Sequence, residues 1–406
     1  MVPEGWDVVA ANTICERISV GIVVKPKDYY VPEGEGIRAF RSANVREGAI
    51  EDRNWVYISD EGHRKNKKSE LQAGDVLVVR TGYPGTACVV TDEYAGSNCI
   101  DIIFARADRT QVLPEFLCMY INSEFGKQQV LDNQGGLAQQ HFNVGSFNVL
   151  KVPLPPLAEQ KRIAEVLGVW DRATLVAGKQ LDLARTQKRA LMQTLLTPTR
   201  RFPGYEGQPW KDIPFNEVFD RIRRKNTVGS ENVLTISGQD GLVSQSDYFN
   251  KRVAAKDLSG YTLLHGGDFA YNKSYSNGYP MGAIKVLSDG QSGVVSSLYL
   301  CFHIKDETQH SRDFFRHYFE AGRHEQEISL IAQEGARNHG LLNVGVSDFF
   351  ETYLHVPDYP EQCRIAEVIG AAEDAEQHAQ TQITRLQAEK KALMQQLLTG
   401  QKRLVT

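Results

Sequence analysis

Apolar side chains at alternating spacings of three and four mark one stretch of the chain, and the same stripe returns 202 positions later. The first runs Ile163, Val166, Trp170, Ala173, Ala177, Leu181, Ala184, Lys188, Leu191 and Leu195, and the second Ile365, Val368, Ala372, Ala375, Ala379, Ile383, Leu386, Lys390, Leu393 and Leu397. Each stripe holds one pair of consecutive fours at the same place, the mark of a stutter in a coiled-coil seam. The words repeat with the pattern: EQKRIAEVLG (Glu159 to Gly168) returns as EQCRIAEVIG (Glu361 to Gly370), and KRALMQTLLT (Lys188 to Thr197) as KKALMQQLLT (Lys390 to Thr399). One unbroken offset over both blocks predicts gapless helices over about 156–196 and 358–398, each roughly 60 Å long. They open after Pro-containing turns and stop at Pro198 and Gly400. Two independent surface helices, or a coiled coil between chains, would show the same periodicity. The intramolecular pair is favoured because both copies lie in one chain at high effective concentration.

Outside the helices the repeat is looser. Gly5-Trp6 and Pro209-Trp210 open the two halves at an offset of 204, and Leu71-Gln-Ala-Gly-Asp75 resembles Leu264-His-Gly-Gly-Asp268 at 193. Helix signals at Pro114 to Ile121 and Arg312 to Phe319 align at 198, and Asn143-Val-Gly145 and Asn343-Val-Gly345 at 200. Alternating runs at Asp75 to Arg80, Ala87 to Thr91 and Ser292 to Phe302 predict strands, broken by glycine-rich turns at Thr81 to Gly85 and Ser276 to Pro280. Few, late helices favour α+β domains over a doubly wound sheet. The reading is a duplicated unit: globular domain 1–152, helical region 153–200, globular domain 201–357 and helical region 358–406.

At 406 residues, 41% hydrophobic and 24% charged, the chain has the composition of a soluble protein of two or three domains. It shows no run of eighteen apolar residues and no signal-peptide core, so a cytoplasmic protein with no membrane contact is expected. Six cysteines without CxxC or metal-ligand spacing read as reduced, buried thiols. Net charge is −4 for residues 1–157, +5 for 158–201, −5 for 202–360 and zero for 361–406. Such a balance argues against indiscriminate DNA binding by the whole surface.

Catalytic motifs are missing from the sequence. No Asn/Asp-Pro-Pro-aromatic tetrapeptide is present, Asn277-Gly-Tyr-Pro280 included, and Gly34-Glu-Gly36 is a lone GxG turn. A phosphate loop and HExxH are also missing. The expectation is a non-catalytic chain that binds no cofactor or metal itself.

PLPPLAEQKRIAEVLG (Pro153 to Gly168) paired with RALMQTLLT (Arg189 to Thr197), both returning in the second half, resembles the two conserved helical regions of type I restriction-modification specificity subunits. AGDVLVVRTG (Ala73 to Gly82) and the NVG segments resemble the family's domain pattern, and the likeness covers the entire chain. It implies two similar target recognition domains separated by an antiparallel coiled coil, an α+β fold with a pseudo-twofold internal repeat. Each domain is then expected to read one half of an asymmetric bipartite site on double-stranded DNA, with the coiled coil setting the spacer. The resemblance also implies docking of two methyltransferase subunits and, in the full complex, restriction and motor subunits. S-adenosylmethionine, ATP and Mg are expected in those partners.

Base and phosphate contacts require Arg, Lys, Asn or Gln on loops. The candidates are Lys65, Lys67, Lys68, Arg80, Tyr83, Gln139, Gln140 and His141 in the first domain. In the second they are Arg221, Arg223, Arg224, Lys273, Tyr275, Asn277, Arg337 and Asn338. Solvated surface is the competing reading for any one charged loop. Tyr279 shares the glycine-rich turn and is open to packing or contact. Partner docking falls to Glu159, Gln160, Arg162, Ile163, Glu361, Gln362, Arg364 and Ile365, against helix capping and local pairing. The rival to the whole reading is a protein-interaction scaffold with duplicated binding domains.

Overall fold

A computed structural model describes residues 2–133, 142–238, 241–248, 255, 257–275, 278–334 and 342–404. The chain forms two compact units, Met1–Gly178 with Thr381–Thr406, and Lys179–Gln380. The long helices span Leu157–Leu195 and Tyr359–Leu398, so each unit contains the beginning of one and the end of the other.

In the first unit, strand Asp7–Ala10 pairs antiparallel with Lys151–Leu154, which leads straight into the first long helix. A four-stranded antiparallel sheet follows the order Cys15–Val20, Ile102–Ala107, Asp75–Val79, Ala87–Val89. Every residue of Asp75–Val79 is buried because the sheet is covered on both faces. Val76 and Val78 enter a core shared with the helix Pro114–Asn122, while Leu77 and Val79 enter a second core with Phe40 and Phe104. A second sheet, ordered Asn98–Cys99, Ile37–Phe40, Val56–Ile58, Tyr30–Val31, belongs to this unit. Its two long-helix segments run antiparallel: Lys390 pairs with Asp171, and Arg162 Nη1 donates to the Leu404 carbonyl at 2.9 Å. Ile163, Leu167, Leu397 and Leu398 close that core.

The second unit repeats the plan. Lys211–Pro214 pairs with Tyr353–Val356, and a four-stranded sheet runs Phe219–Arg221, Leu300–Ile304, Phe269–Asn272, Ala283–Val286. Helix Arg312–Glu320 covers it, capped by the Ser311 side chain. The long-helix segments again run antiparallel, with Lys188 against Glu373 at 3.0 Å and Arg185 against Glu376 at 3.2 Å. In place of a second four-stranded sheet stand two ladders, Leu234–Ser237 with Gly241–Ser244 and Thr262–His265 with Ser292–Val295. The run Ser292 to Phe302, expected as one strand, is therefore two, split at Ser296–Tyr299. The chain is α+β, with an internal repeat of globular domain and long helix.

The seam also departs from its expected line. Ala375 is exposed, and Glu376 takes its place toward the partner segment by pairing with Lys188 and Arg185. The lysines inside otherwise apolar stripes are explained by their acids, Glu373 and Asp171. The Asn-Val-Gly segments diverge too: Asn143 caps Val144–Asn148, whereas Asn343 lies in the short strand Leu342–Asn343 and Gly345 is the cap.

Two histidines are sealed in the second unit. His324 lies among Phe215, Phe319 and Phe349 with Nε2 at 3.1 Å from Thr352 Oγ1, and burial pulls its pKa to about 3. Burial, then Arg316, pulls His317 to about 4. Both stay neutral when folded, while the unfolded chain takes up protons below about pH 6.5. Stability present above that pH is lost as pH falls toward 4, by up to about 1.4 kcal/mol per histidine per pH unit. Urea titration is expected to show this unit about 3 kcal/mol less stable at pH 5.5 than at 7.5; equal midpoints would refute it.

Candidate nucleic-acid interface

Each domain brings two sequence-distant loops to the exit of the same inner strand. Arg80 follows Asp75–Val79; its Nε donates to the Phe142 carbonyl at 3.2 Å, and the Phe142 N–H donates back at 3.3 Å. Lys273 follows Phe269–Asn272; its Nζ donates to the Val344 carbonyl at 3.3 Å, and its carbonyl accepts the Leu342 N–H at 2.9 Å. The glycine-rich turn and the segment entering at Phe142 or Leu342 therefore meet in both domains. Gln139, Gln140, His141, Asn277, Arg337 and Asn338 lie outside the described residues. Tyr83 and Tyr275 stand out from the turns, 84% and 62% exposed. In the first turn Gly82 and Gly85 adopt positive φ, and a Cβ on Gly85 would meet Val130 at 3.2 Å, which ties the base of the turn to the domain.

The remaining cations divide by their partners. Arg80 is anchored to Asp101 at 2.5 Å as well as to Phe142, so it holds the loop base and has little reach of its own. Lys65 pairs with Glu61 one helical turn away at 2.6 Å; Lys67 and Lys68 are exposed on a turn fixed by Ser69 donating to Asn98 at 2.8 Å. Arg221 and Arg223 are exposed and form no ion pair with a described residue, whereas Arg224 is bound to Asp268. Asp268 precedes the strand Phe269–Asn272 and Lys273 follows it, a separation of roughly 17 Å along the strand. The basic run and the converging loops are thus two places. Tyr279 packs inward, its hydroxyl 2.9 Å from the Gly238 carbonyl and 2.7 Å from Glu320, which accepts the shorter bond.

Asp75 and Asp268, recurrent in the sequence, are structural. Asp75 accepts the Gln72 N–H at 2.8 Å and both arms of Arg106 at 2.9 and 2.8 Å. Asp268 accepts the His265 N–H at 2.7 Å and binds Arg224. These carboxylates lock the turn into each inner strand.

The expected docking residues need correction. Glu159, Gln160, Ile163, Glu361, Gln362 and Ile365 are all buried within the chain. Gln160 accepts the Leu113 N–H at 2.9 Å and donates to the Gln111 and Pro155 carbonyls at 2.9 and 2.8 Å. Gln362 repeats this with Ser311 N–H at 3.0 Å and Pro357 carbonyl at 2.9 Å. Glu159 accepts Arg403 at 2.7 and 2.8 Å and the Trp6 indole at 3.0 Å; foremost the guanidinium holds its carboxyl below the usual range. Glu361 accepts Arg201 at 2.8 and 2.6 Å. These side chains satisfy buried groups where each long helix begins, leaving no surface for a partner. Arg162 is committed to Leu404, and Arg364 alone of the eight is exposed, paired with Glu367 at 2.5 Å. Sequence reading missed Arg201 and Arg403, although they too stand 202 positions apart.

Residues 3–183 match the model of the type I restriction modification DNA specificity domain. The matched stretch is a little under half of the chain. It is 23% identical over 210 residues to the putative type I restriction enzyme MjaX specificity subunit of Methanocaldococcus jannaschii, a match covering 48% of this chain and 46% of that protein. With the EcoKI specificity subunit of Escherichia coli it shares 23% over 296 residues, 65% of this chain and 60% of that one. The chain thus spans about half the length of the curated relatives it matches. Among solved structures, a chain of a type I R-M system superposes with TM-score 0.58 at 17% identity, covering 99% of this chain and 100% of that one. The S subunit from M. genitalium gives 0.57 at 13% identity, covering 98% and 96%. At these identities the likeness establishes the fold. Among the described residues no helix is long and apolar enough to cross a membrane.

Proposed function

We propose that this chain is the non-catalytic DNA sequence-specificity subunit of a type I restriction-modification complex. The observation that carries it is the loop pair built twice, at Arg80 with Phe142 and at Lys273 with Leu342, on frames that share a sheet order but differ in the strands beyond that sheet. Two readers of one plan and unlike surface suit two unlike half-sites, separated by a spacer that no residue reads. The long helices set that spacer and carry the methyltransferase subunits, with S-adenosylmethionine, ATP and Mg held in partner chains. Base contacts fall to the turn tyrosines and the loops around them, with Lys67, Lys68, Arg221 and Arg223 on phosphates.

The test is to map methylated adenines on a DNA library after copurification with a methyltransferase subunit. An asymmetric bipartite motif is expected, and four residues inserted into both long helices are expected to change its spacer while both half-sites persist. A stable, competent complex that methylates without sequence preference would overturn the proposal and favour an interaction scaffold.

A further inference from the structure

One charge cluster of the second unit loses its arginine at the equivalent place in the first. In the second unit Arg316, on helix Arg312–Glu320, donates to Glu373 at 2.6 Å and lies 3.8 Å from Asp313; Lys188 reaches the same Glu373 at 3.0 Å. Burial resists the charge on Glu373, but the two cations hold its pKa below the usual range. In the first unit helix Pro114–Asn122 has equal length, so Glu115 stands for Asp313 and Cys118 for Arg316, both at an offset of 198. Asp171 and Lys390 stand for Glu373 and Lys188 at 202. The carboxylates and the lysine are kept, and the guanidinium is replaced by a short, neutral thiol.

Space is kept as well. Glu115, Cys118, Asp171 and Lys390 line a cavity of about 490 Å³, with Met119 and Met394 also on its wall. Lys390 pairs with Asp171, whereas Glu115 forms no ion pair with a described residue. Arg109, the other cation there, is spent on the Ala73 carbonyl at 2.9 Å. We infer that this cavity receives the guanidinium of an arginine from a protein partner, seated between Glu115 and Asp171 as Arg316 is seated between Asp313 and Glu373. A planar fork bridges two carboxylates where an ammonium meets them as a point charge. The second unit supplies its own arginine, so the contact is made once per chain. This inference deepens the proposed docking role and rests on it for the identity of the partner.

The experiment titrates the full chain, without DNA or partner, with L-argininamide, following the methyl NMR signals of its methionines. Saturable shifts are expected at Met119 and Met394 and not at Met281, with L-lysinamide binding more weakly. Glu115→Gln removes an exposed carboxylate without touching the core and is expected to weaken binding roughly tenfold. Cys118→Arg rebuilds the second unit's arrangement and is expected to abolish it. No saturable shift at Met119 and Met394, or shifts unchanged by Glu115→Gln, would overturn the inference whatever Cys118→Arg does to folding. The titration needs neither DNA nor partner, so a failed titration and a failed specificity reading are told apart.

Discussion

Phe302→Ala is expected to destabilise the unit Lys179–Gln380 by about 3–5 kcal/mol. Phe302 is fully buried in an inner strand of its sheet, with ring centroids 5.0 Å from Phe215, 5.0 Å from Phe219 and 5.5 Å from Phe269, the last stacked in parallel. Removing the ring opens a cavity that neighbours on several elements cannot all move to fill. The corresponding facing pair in the first unit is Ala105 opposite Val76, where Phe302 is opposite Phe269. Hydrogen exchange resolved by segment reads the effect: protection is expected to fall across Phe269–Asn272 and Leu300–Ile304. Unchanged protection there would mean that the cluster relaxes around the gap.

The second large effect concerns assembly. A chain ending at Gly204 is expected to form a symmetric dimer through its single long helix. Arg201 pairs with Glu361 and Arg403 with Glu159, so the two contacts are one contact made twice at an offset of 202. In the shortened chain Arg201 of one copy meets Glu159 of the other, and Lys188 meets Asp171, as Lys390 does in the full chain. Light scattering after size exclusion is expected to give twice the monomer mass. Glu159→Lys and Arg201→Glu should each return monomer, and combining them should restore the dimer. A monomer at all concentrations would show that the seam needs two different helices.

The long helices were legible because a packed helix writes its buried face into the chain every three or four residues. A constant offset leaves no room for a loop between the matched blocks. The sheet strands were legible where alternation met glycine turns, and illegible at Ser292 to Phe302, where a turn without glycine or proline separates two strands. The polar residues that open each long helix were misread for a physical reason. Glu159 and Gln160 have the chemistry of a surface and the burial of a core, and only their partners, Arg403, Trp6, Leu113 and Gln111, decide between them.

Periodicity and repetition established two halves of one plan, because both record local geometry that each segment carries alone. Which charge meets which was settled by closure of the chain in space. Running the helix segments antiparallel within each unit brings the end of one long helix to the beginning of the other, and so Arg201 to Glu361 and Arg403 to Glu159. The same closure joins Arg80 to Phe142 and Lys273 to Leu342, and leaves a cavity beside Cys118 and another beside its counterpart Arg316. Such pairings join residues tens to hundreds of positions apart, and no pattern of neighbours along the chain encodes them.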